Sequence, residues 1–473
     1  MDYQRYSSIY IDAGLKEKSK KRYLARRNKL AKNIGHLCVI NGLEIGPGNK
    51  EIWAYVDSRI YQEPLLLYLT GINQLNVSIL LDPTSKTSKE ILFIAPKNPT
   101  FEFWEGLRFG VGESKNIKEI QQITGIKDIR EYSTLEKTLN ELLKKQKDQK
   151  KIGILWHQKT QKPKNIIEDN NFLFLKKMRS LFKKNKWSAK NIINIAPEQW
   201  DLRLPLDAVD IKNTRTANLK TINSFKALLS NVHLMKSECE IRGYLDGHMQ
   251  MQSPYGLSFP TIAASGKNAT ILHYVKNDEP TNKKDLLLLD FGTKWMSMHS
   301  DISRTFPLDG KFNPMQALLY QIVLDCNLYV EKNAKAGLKL LDLNKLCWEF
   351  IQGELKKRFL DKGGKMKLSY KTAPHGVSHL MGEQEHDGDP FGEYKSTPMK
   401  ESWLISNEPG LYGQFKINIK GKSYDQAIGI RVEDNLLIQK NGCINLSAGC
   451  PKTIKEIESI MKTGKAKNKK ITF

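Results

Sequence analysis

Two aspartates beside an apolar run are the first residues in this chain whose types and spacing could do chemistry. Asp290 ends the leucine run at 286–289, Gly292 allows a bend, and Asp301 follows close behind. Two strands joined by a short turn would bring both carboxylates to one point. A carboxylate at the end of an apolar run is costly unless it is paired or binds a cation. Either aspartate alone is more typical of a strand-end cap, so the interpretation depends on residues downstream.

Two later segments supply further groups that can bind a metal ion. The first, PHGVSHLMGEQEHD, carries His375, His379 and His386. The second, LISNEPGLY, places Glu408 at the end of an apolar run, just before a Pro-Gly turn. Together they add imidazole and carboxylate ligands to the pair of aspartates.

A third segment, IGIRVEDNLLI, is typical of a single strand. The two-residue side-chain period puts Arg431 and Glu433 on one face of that strand, and Val432 and Asp434 on the other. Four carboxylates and an imidazole form a hard, oxygen-rich set that suits Mn²⁺ or a similar divalent ion better than a thiolate site would. Enough carboxylates are present to bridge two ions, and paired metals commonly lie about 3.5–4 Å apart and activate a shared water.

These residues and their local frames resemble the dinuclear-metal peptidases of the pita-bread family, which include aminopeptidase P, prolidase and methionine aminopeptidase. The matching frames are DFG…SDISRTFP, HGVSH, EPGLY and GIRVED, and the resemblance extends from about Arg22 to Lys455. It implies an α/β protein whose pita-bread catalytic domain, built on a curved mixed or antiparallel sheet, follows a smaller creatinase-like α/β domain. The expected domains are residues 1–200 and 209–473.

The resemblance implies which residues bind the metal ions. Asp290 would bind one ion, while Asp301 and Glu433 would bridge both. His379 would bind one ion and Glu408 the other. A hydroxide bridging the two ions would attack the substrate.

The resemblance also implies roles for side chains around the ions. Glu408 would act as general base as well as ligand. His386 would stabilise the tetrahedral oxyanion together with the metal, and Arg431 would orient the carboxylates. His375 and His273, which ends SFPTIAASGKNATILH, would orient the substrate. The segment GEQEHD departs from the family, because relatives usually have an apolar residue two or three positions before His386, and we expect a reshaped substrate pocket.

The preference for proline comes from the family and not from the ligands. Peptidases with this N-terminal domain mostly cleave the bond before a proline, so we expect an Xaa-Pro aminopeptidase acting on peptides with proline in second position. The segment FEFWEGLRFG favours this function over an Xaa-Pro dipeptidase, or prolidase, which shares the fold and the ligands. In some relatives a tryptophan matching Trp104 reaches a neighbouring subunit, and relatives are commonly dimers or tetramers.

A non-catalytic pita-bread protein that binds RNA is the alternative from a different class. The net charge of +24 and several lysine clusters would suit such a protein. Basic patches attract phosphate, but no RNA-binding signature with interleaved aromatic residues accompanies the charge. Non-catalytic relatives typically lose metal ligands, whereas five are present, so we expect a solvated lysine-rich surface and no nucleic-acid partner.

The remaining composition indicates a cytoplasmic protein without a membrane segment. No apolar run approaches the roughly 20 residues of a membrane helix, and the first residues lack an apolar signal core. The six cysteines show neither CxxC spacing nor the density of a disulfide scaffold. Serine-hydrolase and single-zinc signatures, GxSxG and HExxH, do not occur.

The elements that must position the site follow from apolar patterning. Expected strands lie at 36–43, 68–72, 76–82, 90–96 and 151–157. Expected helices lie at 16–33, 115–150 and 165–185, and, after a linker at 197–210, at 210–236, 238–250 and 313–360.

Overall fold

The structure, a computed structural model, describes residues 16–44, 62–85, 89–105, 107–146, 150–156, 170–388, 392–468 and 470. It divides into two compact units, the first reaching Arg203 and the second starting at Leu204. Within the described residues, no helix combines the length and the apolar character needed to cross a bilayer.

A six-stranded mixed sheet forms the centre of the first unit. Its strands are β1 (Cys38–Asn41), β2 (Val77–Leu81), β3 (Glu90–Ile94), β4 (Asp128–Glu131), β5 (Ile152–Ile154) and β6 (Ile192–Asn194). The spatial order is β4-β3-β2-β1-β5-β6, antiparallel between β1, β2 and β3 and parallel elsewhere. Cys38 and Ile40 of β1 enter one apolar cluster and Val39 enters another. Both faces are therefore covered, which explains why the strands are nearly continuous apolar runs.

Seven helices are described in the first unit. They are α1 (Lys16–Ile34), α2 (Pro64–Thr70), α3 (Pro99–Glu105), α4 (Ser114–Thr124), α5 (Leu135–Lys145), α6 (Asn170–Lys184) and α7 (Ala196–Arg203). Trp104 belongs to α3, but its side chain falls outside the described residues, so the expectation for it stays a prediction.

The prediction of a strand at 68–72 was wrong, because most of this stretch belongs to α2. Glu63 precedes the helix and its side chain accepts a hydrogen bond from the backbone N–H of Leu65, while Pro64 occupies the first helical turn. Gly71 ends the helix with φ of 73°, a conformation that favours glycine. These start and stop signals decide the structure, since an apolar run alone does not distinguish a helix from a strand.

Two further differences between the predicted and the observed elements lie in the middle and at the end of the first unit. The stretch 115–150 contains β4 between α4 and α5, so it is not helical throughout. Much of the expected linker at 197–210 is helical, and only four residues separate α7 from the next helix. Pro197 does not prevent this, because it lies in the first turn of α7, where a missing N–H is tolerated.

Five helices are described in the second unit: α8 (Ala208–Asn231), α9 (Glu238–Gln252), α10 (Pro314–Asn333), α11 (Leu340–Arg358) and α12 (Ile454–Lys467). Reciprocal caps begin several of them. Asp207 and Asp210 cap α8, and Asn313 and Gln316 cap α10, which also has a proline in its first turn. The helices from α8 to α11 agree with the expected ones, whereas α12 was not expected.

The strands of the second unit pair antiparallel in four small sheets. They are β7 (Ile262–Ser265), β8 (Leu286–Phe291), β9 (Lys294–Trp295), β10 (Met298–His299), β11 (Ile302–Pro307), β12 (Lys365–Leu368), β13 (Leu380–Met381), β14 (Leu404–Asn407), β15 (Gly410–Ile419), β16 (Lys422–Arg431), β17 (Asp434–Gln439) and β18 (Gly442–Asn445). The sheet orders are β11-β8-β7, β10-β9, β12-β15-β16 and β13-β14-β17-β18.

The register of β8 with β11 determines which side chains meet. Asp290 lies opposite Ser303 in this ladder, and Asp301 immediately precedes β11. The connection between the strands forms its own small hairpin, β9 with β10. Glycine is required at position 292, because a Cβ there would lie 1.9 Å from the carbonyl oxygen of Ser300.

The segment IGIRVEDNLLI forms two strands and not the single strand predicted. β16 ends at Arg431 and pairs with β15, whereas β17 begins at Asp434 and pairs with β14 and β18. At the break, the Val432 N–H donates to the Pro409 carbonyl, and the Glu433 N–H donates to the Ser303 carbonyl. The chain thus passes from one sheet to another. The side-chain alternation of a single strand therefore does not predict the direction of the Glu433 side chain.

Candidate active site

All nine residues singled out in the sequence lie on one cavity in the second unit. The cavity has a volume of about 750 Å³. The predicted residues on its wall are His273, Asp290, Asp301, His375, His379, His386, Glu408, Arg431 and Glu433. Apolar side chains complete it, among them Phe259, Leu272, Val275 and Leu340. The fold therefore assembles in one place groups that are distributed over much of the second unit.

The centre of the cavity is a cluster of acidic side chains around one imidazole. One ligand atom each from Asp301, His379 and Glu433 lie within 4.8 Å of one another. The His379 Nε2 atom is 3.5 Å from Asp301 Oδ2, 3.6 Å from Glu408 Oε1 and 4.0 Å from Glu433 Oε1. These separations are too long for hydrogen bonds but leave room for a cation between the atoms.

The protonation of His379 supports that interpretation. Its Nδ1 atom lies 3.1 Å from the carbonyl oxygen of Leu380, which can only accept, so Nδ1 carries the proton. Burial, followed by the nearby His386, lowers the pKa of His379 to about 3. The Nε2 lone pair of a neutral ring therefore faces three carboxylates, an arrangement that lacks a positive charge at its centre.

Asp290 joins the cluster through Ser303 and Arg431. Arg431 Nη2 donates to Asp290 Oδ2 at 2.6 Å, and Arg431 Nε donates to Ser303 Oγ at 2.7 Å. Ser303 Oγ lies 2.8 Å from Asp290 Oδ1 and 2.8 Å from Glu433 Oε2, and its single proton serves one of them at a time. Arg431 was expected to orient the carboxylates, and its contacts are with Asp290 directly and with Glu433 through Ser303.

Asp301, Glu433 and Glu408 resist ionisation. Burial, followed by the charge of Glu433, raises the pKa of Asp301 well above its ordinary value. Burial, with repulsion from Glu408 and Asp290, does the same for the pKa of Glu433. Burial also raises the pKa of Glu408 to about 7, although Arg431 opposes the shift. One guanidinium does not compensate four carboxylates that face one another.

This donor set fits divalent cations. Asp301 Oδ1 is buried without a hydrogen-bond partner among the described residues, an expensive state for a carboxylate oxygen. Oxygen-rich sites with one imidazole suit hard or borderline divalent ions. The residues that would hold such ions are Asp290, Asp301, His379, Glu408 and Glu433.

A hydrogen-bonded chain connects the cluster to His375. Arg431 Nη1 donates to the Tyr412 hydroxyl at 3.2 Å, and that hydroxyl lies 3.1 Å from His375 Nε2. His375 Nδ1 donates to the Gly376 carbonyl at 2.9 Å, so Nε2 accepts the Tyr412 proton. The Trp348 ring packs edge-on against His375, with centroids 5.8 Å apart. Burial, followed by Arg431, lowers the pKa of His375 to about 4, which keeps the ring neutral.

The other two histidines face the open side of the cavity. His386 stacks on His379 with centroids 4.0 Å apart and rings tilted by only 6°. Its side chain is 63% exposed, so it can meet an entering molecule. The neighbouring Glu385 raises the pKa of His386. His273 is an exposed residue on the cavity wall, close enough to His375 to lower the pKa of that ring further.

Several site residues were missed in the sequence. Ser303 bridges Asp290 and Glu433, and its position opposite Asp290 would have required the strand register. Ser406 accepts from the His379 N–H and lies 3.3 Å from Glu408 Oε1. Asn435 accepts from the backbone N–H of Asp301 at 3.1 Å. Tyr412 could have been found from the sequence, because it lies two residues after the start of the strand that follows Glu408.

Comparisons with family models agree with this arrangement. The model of metallopeptidase family M24 matches residues 212–440, which include every residue of the cavity discussed above. The model of the aminopeptidase P N-terminal domain matches residues 23–152. The two matches fall in different structural units.

Individual proteins are similar over most of their lengths. The chain is 27% identical to the Xaa-Pro aminopeptidase of Haemophilus influenzae, over 85% of this chain and 88% of that protein. It is 29% identical to Xaa-Pro aminopeptidase 3 of Dictyostelium discoideum, over 95% and 84% of the two chains. The structure of aminopeptidase P from Escherichia coli with the inhibitor Pro-Leu matches with a TM-score of 0.76 at 23% identity, over 95% of this chain and 99% of that chain. The expected two-domain fold is confirmed.

Proposed function

We propose that this chain, which belongs to metallopeptidase family M24 and carries the N-terminal domain of aminopeptidase P, is an Xaa-Pro aminopeptidase. It releases the first residue of peptides that have proline in second position. The observation that carries the proposal is the unprotonated His379 Nε2 facing the carboxylates of Asp301, Glu408 and Glu433. A non-catalytic protein would have no need to keep this costly cluster buried.

Two divalent cations, most simply Mn²⁺, complete the site in this proposal. Asp290, Asp301, His379, Glu408 and Glu433 would hold them. When bound, such a pair supplies Lewis acidity and lowers the pKa of a water molecule. The identity of the metal is part of the proposal.

Glu408 is the group proposed to take a proton from the attacking water. Its carboxylate lies on the cavity wall among the other acidic groups, where it can accept a proton from a water molecule. The Ser406 hydroxyl, 3.3 Å from Glu408 Oε1, holds the carboxylate in place. Glu408 would then pass the proton to the proline nitrogen as the peptide bond breaks.

The remaining side chains position the substrate. His386, exposed above His379, donates to the developing oxyanion, and its raised pKa favours the protonated donor. His375, kept neutral, and the nearby His273 orient the peptide. Arg431 and Tyr412 fix His375 and Asp290.

An Xaa-Pro dipeptidase, or prolidase, is the alternative function that the same site would support. The named relatives above are Xaa-Pro aminopeptidases, which favours activity on longer peptides. We include in the proposal a cytoplasmic location and a homo-oligomer, as expected from the resemblance, with peptides and not nucleic acid as partners.

The test compares a tripeptide Xaa-Pro-Yaa with a dipeptide Xaa-Pro on the Mn²⁺-loaded protein. Release of the first residue from the tripeptide is the expected result, and a Glu408→Gln variant is the blank. Cleavage of the dipeptide alone would make the protein a prolidase. Absence of bound metal after loading, or salt-resistant RNA binding in place of hydrolysis, would contradict the proposal.

A further inference from the structure

Among the described residues of the cavity wall, Glu385 is the one acidic residue that lies outside the proposed ligand set. The acidic side chains on the wall are Asp290, Asp301, Glu385, Glu408 and Glu433. The other four face one another around His379, whereas Glu385 Oε1 lies 3.3 Å from His386 Nε2, on the open side. The Glu385 side chain is 27% exposed, so it can reach an entering molecule.

The charge of Glu385 also extends into the cavity. It is among the charges that raise the pKa of Asp301, after burial and the closer carboxylates. It opposes the burial that lowers the pKa of Lys294. A carboxylate near the reacting centre, but turned toward the opening, is placed to meet a positive group of the substrate and not a buried ion.

The chemistry of an aminopeptidase supplies such a group. The first residue of a peptide carries an ammonium two bonds from the scissile carbonyl carbon, so its nitrogen lies about 3–3.5 Å from the carbonyl oxygen. His386 Nε2 and Glu385 Oε1 are separated by a similar distance. A peptide whose carbonyl oxygen meets His386 can therefore place its ammonium beside Glu385.

We propose that Glu385 binds a cationic group on the first residue of the peptide and so determines which peptides are accepted. This inference rests on the proposed peptidase function. The cation is an ammonium, which can come from the peptide terminus or from a lysine side chain at that residue. Charge-assisted hydrogen bonds of this kind are about twice as strong as neutral ones.

The experiment uses Mn²⁺-loaded wild type, Glu385→Gln and Glu383→Gln. The last is a matched control, because Glu383 has the same charge two residues earlier and is not among the residues on the cavity wall. The substrates are Ala-Pro-Ala and Lys-Pro-Ala, and bound metal is counted for each protein. In Glu385→Gln we expect KM to rise about tenfold with metal content unchanged. A fall in kcat should accompany it, because Glu385 no longer raises the pKa of His386.

The pattern across substrates identifies the source of the ammonium. A rise in KM for both peptides assigns Glu385 to the peptide terminus, and a rise for Lys-Pro-Ala alone assigns it to the side chain. Unchanged kinetics, an equal loss in Glu383→Gln, or loss of bound metal in Glu385→Gln would each overturn the inference. Loss of metal would make Glu385 a ligand.

A binding measurement separates this inference from the proposed function. In the Glu408→Gln background, calorimetry compares the affinity of the protein for Ala-Pro-Ala, Lys-Pro-Ala and their N-acetyl forms, with and without Glu385→Gln. If the terminus is the source, acetylation weakens binding about tenfold only when Glu385 is present. If the side chain is the source, only the lysine peptides depend on Glu385. Equal affinities throughout would overturn the inference even for a protein that hydrolyses neither peptide. Failure of the wild type to hydrolyse either peptide would contradict only the proposed function.

Discussion

Glu433 and Asp434 are consecutive buried carboxylates whose environments are opposite. Burial and repulsion from Glu408 and Asp290 raise the pKa of Glu433. Burial also disfavours the charge of Asp434, but Arg304 and Lys452 outweigh it and lower the pKa of that carboxyl. Arg304 Nη2 lies 2.7 Å from Asp434 Oδ1, and Lys452 Nζ lies 2.6 Å from Asp434 Oδ2.

The difference shows that burial does not decide how a carboxylate behaves. Asp434 has its counter-ions in the protein, so its charge is compensated without a ligand. Among the residues that the structure describes, Glu433 has no counter-ion of comparable closeness, so its cluster stores unfavourable free energy that a bound cation would relieve. A deficit of positive charge, and not the presence of acids, marks the functional region of this unit.

The largest expected effect is on catalysis. Replacing Glu408 by Gln removes the proton acceptor and should lower kcat by about 10³-fold or more, within the range for general base catalysis combined with loss of a ligand. Hydrolysis of an Xaa-Pro-Yaa peptide measures it. Thermal unfolding of the metal-free variant serves as control and should show no destabilisation, since one repelling charge is gone.

The contrast between Glu433 and Asp434 is tested by the same change, carboxylate to amide, at both positions. Asp434→Asn leaves Arg304 and Lys452 undercompensated and should destabilise the metal-free protein by about 3–5 kcal/mol. Glu433→Gln removes a repelling charge and should leave that protein unchanged or more stable by about 1 kcal/mol. Urea unfolding in EDTA gives both values. Destabilisation of the same size by the two variants would show that the two clusters do not differ as argued.

Stability of the metal-free protein should fall as pH rises from about 6.5 to 8. A carboxyl with a raised folded pKa stabilises the fold below its unfolded pKa, and this contribution is lost through the folded value, about 7 for Glu408. Histidines with lowered pKa values, such as His379, act only below their ordinary value of 6.5. The expected loss is on the order of a few kcal/mol.

Unfolding temperatures measured in EDTA and in Mn²⁺ check the sign of that slope. With metal the slope should flatten or reverse, because metal competes with protons for the same groups. The Glu408→Gln variant should show a smaller slope in EDTA. Identical slopes in EDTA and Mn²⁺ would mean that these carboxylates do not hold the metal.

The smallest effect is expected at a partly exposed ion pair. Arg358 Nη1 lies 2.6 Å from Asp325 Oδ2, with side chains 33% and 27% exposed. Arg358→Met should cost less than about 1 kcal/mol, because water screens the pair. Comparing the free energies of unfolding of Arg358→Met and Asp434→Asn shows how much of the cost of breaking an ion pair is due to burial. Equal costs would remove burial from the explanation.

The sequence predicted the components of the site better than their connections. Asp290 and Glu408 could be found because each follows an apolar run, where an unpaired carboxylate needs an explanation. Glu433 could be found from the strand pattern IGIRVEDNLLI and the family frame GIRVED. Ser303 could not be found, since its role depends on lying opposite Asp290 in the register of two strands. Glu385 was only part of a noted departure, and its direction depends on the fold of the loop.

The elements show the same limit. Long helices with clear caps, such as α8 and α10, agree with the expectation from local pattern. The helix at Pro64–Thr70 and the break at Val432 and Glu433 do not. In these places capping, or the transfer of a chain from one sheet to another, outweighs apolar alternation.

That transfer has a consequence for how the protein matures. Asp290 and Glu433 are separated by more than a hundred residues, and Ser303 joins them only when β11 contacts the junction between β16 and β17. Long-range strand pairings of this kind are slow to form. The chain should therefore acquire metal late, after its last sheets have paired, and the rate of metal uptake during refolding would time the completion of the native topology.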